Sequence, residues 1–188
     1  MILYHGTLDY AAVNIMARNH FIHSDGTHHL LGKGIYLYDD MDQAFALATK
    51  KTEMKNHENS PVLPYKPVVL KVEVEIDEES YMNLDALESQ KLFFNTRNKF
   101  NRVLRDKGLI CQTYTDSLFC DFLSKRLNLK MISKTTLDPN QSNHVPVQMM
   151  NQKDLDPILT MHFPTEKHYC LKDKTWIRNI SYGRVGDL

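Results

Sequence analysis

Within Val68 to Ile76 apolar and charged residues alternate without a break from Leu70 onward. Leu70, Val72, Val74 and Ile76 fall on one side, and Lys71, Glu73 and Glu75 on the other. Only an extended chain puts every second side chain on one face, so the segment predicts a strand half in a core and half near water. Such a strand needs partners to pair with and helices to cover its apolar face. Two earlier segments offer both. Ile2 to His5 is a short apolar run ending at Gly6-Thr7, with Asp9 placed to cap a helix carrying Ala12, Val13, Ile15 and Met16. Gly34 to Tyr38 reads as another strand, and Asp39-Asp40-Met41-Asp42 supplies caps and first-turn negative charge for a helix through Ala44, Phe45 and Ala48.

Downstream, Pro61, Pro64 and Pro67 predict a loop over Asn56 to Pro67. Phe93, Phe100, Val103 and Leu104 recur at helical spacing within Leu84 to Lys107. Leu118, Phe119, Phe122, Leu123 and Leu127 do so behind Asp116 as cap. Short strands are expected at Leu129 to Ser133, Pro146 to Met150 and Ile158 to Phe163, with a turn-rich stretch from Asp138 to Asn143. Strands and helices mix without a regular βαβ rhythm, which predicts an α+β fold. A chain of 188 residues with 42% hydrophobic residues suits one domain over residues 1–188 with a single core. Cys111, Cys120 and Cys170 contain no CxxC pair and predict buried thiols, neither a disulfide framework nor a zinc site. No apolar run approaches the roughly 18 residues that a membrane span needs, and the N-terminus lacks signal-peptide features, so a cytoplasmic protein without membrane contact is expected.

Charge is the less even property. Lys plus Arg and Asp plus Glu are both 23, yet acids dominate Thr52 to Gln90 and bases dominate Lys91 to Lys134. The first arrangement to consider is a solvated helix face balanced by an acidic neighbour; the second is a surface for a polyanion.

The densest chemistry lies in the first 50 residues. Tyr4-His5-Gly6-Thr7 puts an imidazole, a glycine that allows close backbone approach and a hydroxyl at one strand end. Leu31-Gly32-Lys33-Gly34-Ile35-Tyr36 follows about 25 residues later, and Tyr36 and Tyr38 share a face of its strand. In this order and separation, ahead of an acidic helix start, the two motifs resemble those of ADP-ribosyltransferases of the diphtheria-toxin and poly(ADP-ribose) polymerase type. The resemblance covers residues 1–50 closely and extends to the strand at Val68 to Ile76. It implies a split central β-sheet flanked by helices, with NAD as co-substrate and no metal. His5 would hydrogen-bond a ribose hydroxyl, Gly6 would pair through its backbone with the nicotinamide carboxamide, and Thr7 would line the same pocket. Tyr36 would stack beside the nicotinamide ring, with Gly34 ahead of it. Ser24, Asp25 and His28 fall in the connection that passes over the adenosine side. Breaking the nicotinamide–ribose bond passes through an oxocarbenium-like state, which rewards a rigidly held leaving ring.

Two departures from the pattern follow. The second aromatic that many members carry in the next helix has no Tyr counterpart here, leaving Tyr38 or Phe45 to cover the ring. The third motif, a Glu at the start of a late strand, has no counterpart in Pro146 to Met150, where Gln148 is the nearest polar side chain. A Gln binds ribose hydroxyls but is no base, so a single transfer onto an acceptor that supplies its own nucleophilicity is expected. Glu73-x-Glu75 imitates the paired glutamates of the arginine-modifying toxins, but both lie on the polar face of an alternating strand. His20-x-x-His23 and His28-His29 lack the further ligands of a metal site.

The resulting expectation is a mono-ADP-ribosyltransferase acting on a macromolecule, as a toxin or defence effector kept in check by an antitoxin or chaperone. With a motif starting this early, no targeting domain is expected ahead of it. Nucleic acid, messenger RNA included, is preferred over protein as acceptor because Lys91 to Lys107 and Lys125-Arg126, with Tyr114, offer a basic surface. The alternatives are an NAD-dependent RNA 2′-phosphotransferase, whose His-Arg-Arg-His set Arg18 and its neighbouring histidines do not reproduce, and an inactive module that only binds NAD or ADP-ribose.

Overall fold

The computed structural model describes residues 1–18, 21–24, 29–59, 63–108, 115–137 and 165–186. The described residues form seven strands and four α-helices: β1 (Ile2–Leu8), α1 (Asp9–Arg18), β2 (Ile35–Tyr38), α2 (Met41–Asn59), β3 (Pro67–Val74), β4 (Tyr81–Asn83), α3 (Leu87–Asp106), α4 (Asp116–Leu127), β5 (Met131–Leu137), β6 (Thr165–Leu171) and β7 (Ile177–Val185). This is a mixed α/β arrangement around one sheet of order β4-β5-β6-β2-β1-β3-β7. Only β4 and β5 run parallel; the other neighbours are antiparallel.

The alternation along β3, which lies between β1 and the edge strand β7, appears directly in its burial. In β3, Leu70, Val72 and Val74 are buried while Lys71 and Glu73 are half-exposed. Leu70 and Val72 join Leu3, Leu37 and Leu171 from neighbouring strands, and α1 covers this face with Ala12 and Ile15. The opposite face receives α2 through Ala44 against Val69 and Tyr38, and α3 and α4 through Phe93, Phe119 and Leu123 against Ile132 and Cys170.

Ala44, Ala48 and Thr52 form a stripe of small buried residues along α2, so the helix sits close to the sheet. It sits closest at Gly6, where a Cβ would collide with the Ala44 carbonyl. The absence of a side chain at Gly6 thus serves helix packing, and the expected open approach of a ligand to that face of the residue is taken by α2.

Several sequence expectations need correcting. The loop expected from Asn56 begins later, because α2 continues to Asn59 and Asn56 clasps Tyr65 by two hydrogen bonds of 2.8 and 3.2 Å. The cap of α4 is Thr115, whose hydroxyl accepts from Leu118 N at 3.3 Å, and Asp116 is the first helical residue. The strand expected at Leu129 to Ser133 lies two residues further on, at Met131–Leu137. β4, β6 and β7 were not expected. The strands expected at 146–150 and 158–163, and Gln148 with them, lie outside the described residues, as do Asp25, His28, Cys111 and Tyr114. Cys120 and Cys170 are buried free thiols. Among the described residues no helix is long and apolar enough to cross a membrane.

Candidate functional site

β1 and β2 touch at a single register pair, Tyr4 with Tyr38, and then diverge. Into the gap between them His5 Nδ1 reaches the backbone carbonyl oxygen of Tyr36 at 2.9 Å. A carbonyl can only accept, so Nδ1 carries the proton and the Nε2 lone pair is left for another donor. Burial, reinforced by the nearby Lys51 ammonium, lowers the His5 pKa to about 4. The ring is therefore neutral at physiological pH and fixed in one tautomer.

A cavity of about 540 Å³ opens where the two strands part. His5, Thr7, Ser24, Gly34 and Tyr36 all line it. Five residues chosen from sequence thus converge on one space within the range of nucleotide and cofactor pockets. Ser24 is pinned to Gly34 by a backbone bridge and by its hydroxyl, which donates to the Gly34 carbonyl at 3.2 Å. The Tyr36 hydroxyl donates to Gly32 O and accepts from Leu31 N, both at 2.9 Å. Burial raises its pKa first, with the Cys170 thiol adding to the effect. With its hydroxyl committed, Tyr36 offers a ligand its ring face, which in this structure meets the His29 ring at 4.9 Å.

Of the rest of the lining, the sequence brought up Arg18, His23 and His29 only in other readings and did not single out Tyr10, Asn14 or Lys51. Tyr10, Asn14 and Arg18 come from α1 and Lys51 from α2. Lys51 is half-buried, donates to the Gly6 carbonyl at 3.3 Å and has its pKa lowered by burial. No carboxylate lines the cavity among the described residues, so Arg18 and Lys51 give it a positive field. A cation that keeps its charge while poorly hydrated favours an anionic ligand. The signal was present in the chain: Asn14 and Arg18 stand one helical turn apart on a helix that follows the His motif.

Tyr38 and Phe45 lie elsewhere. Tyr38 is 5% exposed and its ring meets the His168 ring at 5.1 Å. Phe45 packs under the Arg184 guanidinium, 4.0 Å from the ring centroid. Neither lines the cavity. Glu75 is ion-paired with Arg178 at 2.6 Å on the surface, away from the cavity.

β6 carries a polar group that sequence reasoning passed over. Glu166 is the second residue of this late strand, which pairs with β2 so that Tyr36 faces Cys170 and Tyr38 faces His168. Glu166 and His168 share one face, with His168 Nε2 3.3 Å from the Glu166 carboxylate and 3.0 Å from Thr136 Oγ1. Tyr4, Tyr38 and His168 form one row across β1, β2 and β6, so about 10 Å of backbone separates the first strand from the third.

No family model matches the chain. Among curated proteins it is similar to an uncharacterized protein of Methanocaldococcus jannaschii, with 33% identity over 93 residues, covering 50% of this chain and 41% of the relative. The chain therefore spans about two fifths of the length of the curated relative it matches. No solved structure matches.

Proposed function

We propose that the chain is an NAD-dependent ADP-ribosyltransferase that uses the cavity between β1 and β2, with a nucleic acid as the preferred acceptor. The observation that carries this reading is the convergence of His5, Thr7, Ser24, Gly34 and Tyr36 on one cavity that holds two cations and no carboxylate among its described lining residues. A dinucleotide presents a diphosphate between two ribosides, and the lining offers matching chemistry. His5 Nε2 accepts from a ribose hydroxyl, the Tyr36 ring supports the nicotinamide, and Arg18 and Lys51 neutralise the diphosphate. The divergence of β1 from β2 is what the expected split core requires, although hydrogen bonds keep all seven strands in one sheet.

Glu166 stands at the start of a late strand, as the third motif does, but it does not line the cavity, so Gln148 stays our candidate for that motif. In the reaction the C1′–N bond of NAD breaks heterolytically and neutral nicotinamide leaves with the bonding electrons. The acceptor nucleophile then bonds to C1′ and gives its proton to water, since no carboxylate lines the cavity among the described residues.

The test is incubation with NAD labelled in the adenylate, separately with RNA, single-stranded DNA and protein. Label is expected in RNA or DNA, and His5→Ala or Tyr36→Ala is expected to lower it at least a hundredfold in a folded protein. Intact NAD binding with no transfer and no NAD cleavage would favour the inactive-module alternative. A second reading, removal of an RNA 2′-phosphate, draws on one observation: Arg18, His23 and His29 line the same cavity as His5. It predicts a phosphorylated ADP-ribose as the released product and no label left on the RNA.

A further inference from the structure

A second cavity, of about 490 Å³, adjoins the first. His23 lines both, and of the adjacent residues Lys33 and Gly34 the first lines one cavity and the second lines the other. Lys33, Lys125, Lys130 and Lys172 meet there against two carboxylates, Asp121 and Asp173. Both carboxylates are already engaged. Lys172 Nζ sits 2.9 Å from Asp121, which also accepts from Lys33 N at 2.9 Å. Lys130 lies 3.5 Å from Asp173, which accepts from the Thr175 hydroxyl at 2.8 Å. Lys33 and Lys125 are exposed and make no ion pair among the described residues. The last turn of α4 also lines this cavity, and its Ser124 carbonyl is occupied by the amides of Asn128 and Leu129.

The cavity thus carries surplus positive charge beside the proposed NAD site. Among the described residues its lining contains no Phe, Tyr or Trp, and its larger apolar residues are Leu118 and Leu129. That is a poor seat for a peptide, which is anchored by aromatic or aliphatic side chains in pockets. The one ring it offers a base is the imidazole of His23, at the border with the first cavity. What it can hold is a backbone phosphate, met by lysine point charges.

We propose that this second cavity is the acceptor subsite, and that Lys33 and Lys125 bind backbone phosphates of single-stranded nucleic acid so that a neighbouring nucleotide enters the NAD cavity past His23. The proposal rests on the NAD reading for its chemistry, but its charge argument stands apart from that reading. Because phosphates carry no sequence information, this contact holds any sequence equally, and selection of the acceptor base falls to groups nearer C1′.

The experiment compares the wild-type chain with Lys33→Gln/Lys125→Gln, using fluorescence anisotropy with a labelled single-stranded RNA across a potassium chloride series. Removing two phosphate contacts should weaken binding about tenfold at moderate salt and flatten the slope of log affinity against log salt by about 1.4. Transfer from NAD to RNA should fall in step, while NAD cleavage with water as acceptor stays unchanged and reports that the variant is folded. Arg178→Gln, which removes an exposed cation that lines neither cavity, is the control. Equal affinity and slope in wild type and double variant would overturn the proposal, as would a loss in Arg178→Gln matching the double variant. So would Lys33- and Lys125-dependent labelling of protein with RNA ignored. If no protein cleaves NAD, the NAD reading fails, and the anisotropy data still decide whether the second cavity binds phosphate.

Discussion

At the scale of single residues, His5 couples the candidate site to stability through its proton. Its folded pKa of about 4 lies below the ordinary histidine value of 6.5, chiefly because burial penalises the imidazolium. The unfolded chain therefore takes up a proton between these values that the folded chain refuses. Stability is fully present above pH 6.5 and is lost as pH falls toward 4, by up to about 3 kcal/mol for a shift of this size. His168, also lowered by burial, contributes with the same sign. Urea unfolding of wild type and His5→Gln across pH 8 to 4 measures this. Wild type is expected to lose stability steeply below pH 6.5, and the variant, whatever its stability at neutral pH, to follow a flatter line. Parallel curves would show that His5 titrates in the folded state as it does in water. For binding, the same shift keeps the Nε2 lone pair available throughout the physiological range.

At the scale of elements, what the sequence made legible was whatever its local pattern dictated. β1, β2 and β3 announce themselves through short apolar runs or strict alternation, and α1 and α2 through acidic starts. β6 and β7 do not, because pairing with neighbours makes them strands. The start of β6, Thr165-Glu166-Lys167-His168, reads as a polar loop until β2 and β5 flank it, and β7 is an edge strand interrupted by Arg178, Asn179, Gly183 and Arg184. Glu166 went unnoticed for the same reason, because it stands in a strand that only tertiary pairing reveals. The roles are separable by single-turnover transfer from labelled NAD. Glu166→Gln, outside the cavity, is expected to transfer near the wild-type rate. Gln148→Ala is expected to slow transfer about tenfold, the loss of one hydrogen bond to the ribose, and the opposite ranking would assign the third motif to Glu166.

Across the whole molecule, the glycine-rich segment ahead of β2 is held from beneath by groups distant in sequence. Lys172, just past β6, donates to the carbonyls of Leu31 and Lys33 at 2.5 and 2.9 Å and pairs with Asp121 of α4. Gly32 sits at φ +80 directly over Asp121, where a side chain would collide with the carboxylate. One ion pair thus joins α4, the end of β6 and the segment that separates the two cavities. The Lys172 and Asp121 side chains are 9% and 19% exposed, so the pair lies far enough from water for its loss to leave a charge poorly solvated. Lys172→Met is expected to cost about 3 kcal/mol in urea unfolding, well above the 0.2–1 kcal/mol typical of exposed pairs. Much of that cost is the stranded Asp121 carboxylate, so Lys172→Met/Asp121→Leu is expected to recover part of it, and the double-mutant cycle gives the coupling. NAD affinity need not follow stability. Leu31 N and Gly32 O hold the Tyr36 hydroxyl, so loosening the segment frees the ring from its fixed orientation. The double variant should therefore regain stability while NAD binding stays weakened. Full recovery of both would show that the pair only stabilises the fold and that β2 alone positions Tyr36.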